Sequence, residues 1–158
     1  LSNPRNTIEG AQMGTLLRLD SISPSLAGSF RQANDDQRRH AALATCLVAV
    51  ARAELQGDEV DAAVNLLRHG VNAQPDVRHK LDSLTAQLDE QYFKLSEEAD
   101  ATTPEALFVF RKARAAAALA FALSPDSGQL HEAIYEAIVA SDDQAEAMRA
   151  ADAALRAR

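Results

Sequence analysis

The 158-residue sequence predicts an all-α fold, a single-domain bundle of about seven helices, and three observations carry that expectation. Alanine fills 33 positions against 6 for glycine and 5 for proline, and alanine has the highest helix propensity of all residues. No stretch shows the period-two alternation of a half-buried strand. Pro104 to Leu123, PEALFVFRKARAAAALAFAL, is apolar on nearly every side for the length of a helix. A surface helix keeps one polar face, so this segment is expected as the buried central helix, near 104–123. A chain of this size buries a core that needs no disulfide or metal staple.

Taken in order, residues 1–22 form an N-terminal arm expected to be partly irregular. Ile8, Met13, Leu16, Leu17, Leu19 and Ile22 can dock on a bundle, but their spacing fits neither period. The bundle domain is expected over 23–158. Ser23-Pro24 opens a first helix with a hydroxyl cap and a proline at the first helical position, and Leu26, Phe30 and Ala33 line one face. Asn34 to Gln37 open a second helix with a cap and acids at the positive dipole end. Leu43, Cys46, Leu47 and Val50 give it an apolar stripe, and Gly57 is expected to end it as a left-handed cap.

Asp58 is expected to cap a third helix, with Val60, Val64, Leu67 and Val71 on one face and a Schellman-type ending at Gly70-Val71. Pro75 opens a long fourth helix whose stripe is Val77, Leu81, Leu84, Leu88, Tyr92 and Leu95. Thr103-Pro104-Glu105 opens the central helix with cap, proline and acid in order, and Ser124-Pro125 closes it. Ser127 is expected to cap a sixth helix carrying Leu130, Ile134, Ala137 and Ile138. Ser141 with Gln144 reads as a capping box for the last, where Ala145, Met148, Ala151 and Leu155 form a thin stripe. Ala63–Leu88 and Ala113–Ile138 echo each other at an offset of 50, which stacked helical hairpins would explain and shared helix-loop-helix grammar explains as well.

The net charge is −7, and −6 of it lies from Lys80 onward, where 14 Asp/Glu stand against 8 Lys/Arg. Such a field repels free nucleic acid and attracts a basic partner, while acids on outer helix faces also serve solubility. Aromatic residues are 4% of the chain, too few to suggest a base-stacking surface. Arg111, Lys112 and Arg114 sit mid-segment in the central helix, which makes a bilayer crossing costly. LSNPRNTIEG does not read as a secretory signal, and the single cysteine suits a reducing, cytoplasmic setting.

Chemistry motifs are sparse. Of His40, His69, His79 and His131, only Asp76-x-x-His79 approaches a helical metal spacing, and it occurs once at a helix start, so no metal or other cofactor is expected. His131, Glu132, Tyr135 and Glu136 place titratable groups one turn apart, as ordinary surface neighbours also do. Cys46 lies on an apolar stripe and reads as buried and inert. Arg111 and Arg114 share a face of the central helix, and Arg114 borders its apolar stripe. A guanidinium buried there requires a carboxylate or carbonyl partner, and acids of the fourth or sixth helix, such as Asp89 or Glu136, are candidates.

The expected function is therefore that of a non-enzymatic helical interaction protein, an inhibitor, immunity-type protein or adaptor, presenting an acidic face to a basic protein partner. Glu97, Glu98, Asp142 and Asp143 are the expected contact residues. The alternative is a small-molecule bundle that senses an anion held by Arg111 and Arg114.

Overall fold

The computed structural model describes residues 16–70 and 74–158, in which eight α-helices and one 3-10 turn fold without a strand. They are α1 (Arg18–Ile22), α2 (Pro24–Gln32), α3 (Asp35–Ala53), α4 (Asp58–Arg68), α5 (Pro75–Glu98), α6 (Pro104–Ala122), α7 (Leu130–Ala140) and α8 (Gln144–Arg156), with the turn Ser127–Gln129 before α7. The all-α bundle predicted from composition and periodicity is the fold observed.

The expected central helix is α6, which packs against α3, α4, α5 and α7. Ala113, Ala115, Ala116, Ala118 and Leu119 are sealed from solvent. Short side chains there let four neighbours approach closely, since interaxial distance follows the side chains at the contact. The first half of α6 is more open, and Phe108 is 37% exposed. Arg114 stands opposite Glu136 of α7, ten residues from the start of α6 but only four from the end of α7. At 1.5 Å per residue the α5–α6 hairpin therefore projects roughly 9 Å beyond α7.

Local signals place several ends as expected. Ser23 Oγ accepts from the Leu26 N–H at 3.1 Å, and Thr103 Oγ1 from the Ala106 N–H at 3.2 Å. Asn34 and Gln37 form a reciprocal capping box, each bond 2.8 Å long. Other ends differ from expectation. Glu54, not Gly57, is the left-handed residue that ends α3 (φ 54°), and Gly57 (φ 143°) is instead the residue before α4. Asp58 is the first residue of α4 and makes no cap. Asp143, not Ser141, caps α8 by accepting from the Glu146 N–H, while the Ser141 hydroxyl donates back to Ala137 O inside α7. Ser127 opens the 3-10 turn rather than α7. The Ser141 hydroxyl is taken by a carbonyl one turn back, whereas the Ser127 hydroxyl donates to Asp35 of α3 and Asp126 caps the 3-10 turn by accepting from the Gly128 N–H. Val71, Ile8 and Met13, and with Val71 the Schellman ending, lie outside the described residues.

The arm contributes a helix that raises the count above seven. In α1 the Asp20 carboxylate accepts from the Leu17 N–H at 2.7 Å, Leu19 is fully buried, and the helix packs on α2 and α7. The 50-residue echo joins unlike pairs: α4 and α5 have 11 and 24 residues, α6 and α7 have 19 and 11.

Candidate functional site

The helix directions can be read from bonds at the two ends of the bundle. At one end Arg39 of α3 donates to Ser124 O and Pro125 O, at 3.3 and 2.7 Å, and Gln37 donates to Ala157 O beyond α8 at 2.7 Å. At the other, Arg52 of α3 faces Asp142, Asp143 and Glu146 at the α7–α8 connection. Thus α3 and α7 run together, and α8 runs against them. Tyr92 meets Phe110 across the α5–α6 hairpin, with ring centroids 5.3 Å apart, so the connection from Ala99 to Thr103 lies at the Arg52 end as well. So does the turn between α3 and α4.

Three connections, distant in sequence, therefore deliver carboxylates to one end. The α3–α4 turn brings Glu54, Asp58, Glu59 and Asp61; the hairpin brings Glu97, Glu98, Asp100 and Glu105; the α7–α8 connection brings Asp142, Asp143 and Glu146. Among the described residues the cations nearest these turns in sequence are Arg52, Lys94 and Arg149, and Lys94 lies 3.4 Å from Glu90. The Thr102 N–H, 3.0 Å from Asp100 Oδ1, holds that carboxyl below its usual range, so it stays ionised. Glu97 and Glu98 are exposed, and Asp142 and Asp143 are half-exposed beside Arg52. All four expected contact residues lie at this end.

The arginines on the central helix are arranged differently. Arg114 Nη2 donates to both oxygens of Asp89 on α5 (2.9 and 3.1 Å), and Nη1 to both oxygens of Glu136 on α7 (3.4 and 3.2 Å). Both are among the acids that the sequence offered as candidate partners. Glu136, with only 4% of its side chain exposed, also accepts from Arg18 of α1 at 3.0 Å, and Arg18 bonds Glu132. The result is a continuous chain of charge, Asp89–Arg114–Glu136–Arg18–Glu132, tying α5, α6, α7 and α1 together. Arg18 further stacks 4.2 Å above the Tyr135 ring. Glu132, Tyr135 and Glu136, which sequence spacing left open as an acid/base group, thus form the seat on which α1 is anchored. A groove of about 360 Å³ over Ala117 and Phe121 is bordered by Arg114, Asp89 and Glu136 but not by Arg111.

The remaining reactive side chains are enclosed or dispersed. Cys46 is buried, and loss of solvation pushes its thiol up to about 12. His131 packs edge-on against Phe30, centroids 5.6 Å apart, and burial holds its imidazole below the usual value despite Glu132 3.5 Å away. His79 and Asp76 are exposed on the first turn of α5. No group of three or more His, Cys, Asp or Glu among the described residues is placed to hold a metal ion, and no helix among them is long and apolar enough to cross a membrane. No family model, curated protein or solved structure matches this chain.

The cluster at the acidic end was only half visible in the sequence. Acids after Lys80 were evident, but Glu54, Asp58, Glu59 and Asp61 belong to the nearly balanced first half. The sequence does not show that the α3–α4 turn at Gly57 lies at the same end of the bundle as the α5–α6 connection.

Proposed function

We propose that this protein is a non-enzymatic interaction protein of the inhibitor, immunity or adaptor kind, and that its acidic end receives a basic surface of another protein. The observation that supports the reading is the arrival of carboxylates from three separate connections at one end, where Arg52, Lys94 and Arg149 are, among the described residues, the cations nearest in sequence. Like charges held together repel, and a cationic partner relieves that repulsion while excluding water from the charges. Such a field also steers encounter, raising association rates by about 10- to 1,000-fold at low salt. A cytoplasmic setting, inferred from the single cysteine, belongs to the same proposal.

The test is capture from source-cell lysate on immobilised protein at low and high salt, identifying bound proteins by mass spectrometry. A parallel column carries the variant Glu97→Gln/Glu98→Gln/Asp142→Asn/Asp143→Asn. The expected result is a partner with a basic face, released by salt, whose association with the variant is slowed about tenfold or more. An acidic partner, or binding indifferent to salt and to the four substitutions, refutes the reading.

A further inference from the structure

The end of the bundle opposite those carboxylates has a different character. There α3 begins, α4 and α6 end, and between them lies a cleft of about 180 Å³. Leu43, Leu67 and Ala122 supply apolar wall, and Arg39, His40 and Arg68 supply basic groups. A volume below the range of about 300–1,000 Å³ that drug-sized ligands fill restricts any occupant to a small one.

The two guanidinium groups differ from Arg114 in how they are satisfied. Arg39 is anchored by two neutral acceptors, Ser124 O and Pro125 O, which fix its position without cancelling its charge. Arg68 is exposed, on the last turn of α4, and makes no ion pair among the described residues. Among the described residues the one acid on the cleft is Asp36, so the two arginines leave it positive even with His40 neutral. Cations lining so small a cleft repel each other unless an anion sits between them, and guanidinium forks match tetrahedral oxyanions through paired N–H donors.

We infer that this cleft binds a small phosphate-class oxyanion, held by Arg39 and Arg68 with His40 at the rim. Free phosphate and a phosphate monoester share that chemistry, and a monoester would lay its carbon portion on Leu43, Leu67 and Ala122. The site is separate from the acidic end, so the failure of either proposal leaves the other standing.

The experiment titrates sodium phosphate, and separately phenyl phosphate, into the full chain, following two-dimensional amide spectra and the melting temperature. Sodium chloride at matched ionic strength is the reference. Saturable shifts confined to residues around the cleft are expected, with a Kd on the order of 1 mM and a rise in melting temperature absent from the chloride series. Arg68→Gln, an exposed change that leaves the fold intact, is expected to weaken phosphate at least about fivefold, since it removes one charge-assisted fork. Arg111→Gln, outside the cleft, is expected to leave it unchanged. Tighter binding of phenyl phosphate identifies a monoester site, and equal binding a site for phosphate itself. Non-saturable shifts, an equal response to chloride, or undiminished binding by Arg68→Gln overturns the proposal.

Discussion

Arg114 on α6 and Glu136 on α7 face each other inside the bundle with Nη1 3.2 Å from Oε2, and among the described residues Glu136 is the charged one most completely withdrawn from water. Its negative charge is tolerated because Arg114 and Arg18 both donate to it. A buried pair adds little net stability, but breaking it leaves a costly orphan. Arg114→Met is therefore expected to cost about 2–3 kcal/mol in urea unfolding, less than a fully orphaned charge because Arg18 remains. Adding Glu136→Gln to that variant is expected to recover part of the loss. If the double variant is less stable than Arg114→Met, the charge on Glu136 is not the source of the cost.

His131 gives stability a pH dependence of definite sign. Burial lowers its folded pKa from 6.5, with Arg18, Arg38 and Arg31 acting in the same direction and Glu132 opposing. The unfolded chain therefore binds the proton more readily. The contribution is fully present above 6.5 and is lost as pH falls through that value toward the lower folded pKa. Wild type is expected to lose stability relative to His131→Gln as pH falls from about 7.5 to 5, read from chemical denaturation at each pH. Parallel curves would refute the assignment.

Two glycines are expected to respond oppositely to alanine. Gly57 adopts φ 143°, and a Cβ there would meet Glu59 Oε1 at 3.1 Å, so Gly57→Ala is expected to destabilise by about 1–2 kcal/mol. Gly28 lies inside α2 with nothing within 4 Å of its would-be Cβ, and Gly28→Ala is expected to stabilise by about 0.5–1 kcal/mol. Thermal melts of the two variants decide both.

The sealed alanine helix is sensitive to added volume. Ala116→Leu inserts three carbons where there is no exposure, and is expected to cost about 1–3 kcal/mol through displaced neighbours. Ala101→Leu, on the α5–α6 connection, is expected to change stability by less than about 0.5 kcal/mol. Similar melting temperatures for the two would contradict the packing described.

Cys46 is fully enclosed with its thiol pushed up to about 12, so almost none is thiolate at neutral pH. Its reaction with a disulfide reagent is expected to be limited by opening of the bundle, accelerating with urea as stability falls. Prompt labelling of native protein would show that α3 is less closed than its burial indicates.

The residue pattern alone determined the helical class, the identity of the central helix and the need of Arg114 for an internal partner. Each is a local matter: composition sets helix propensity, an all-round apolar segment must be covered, and a guanidinium on its edge needs a carboxylate or carbonyl beside it. Tertiary structure decided the rest. Helix ends at Glu54 and Asp143 were won by bonds within a turn that several residues could have made, and α1 is held by Glu132 and Glu136, more than a hundred positions away. The division into an acidic end and a cleft with two arginines is likewise invisible along the chain. Charge density depends on which turns the folded helices bring to the same end, and that is set by packing, not by sequence order.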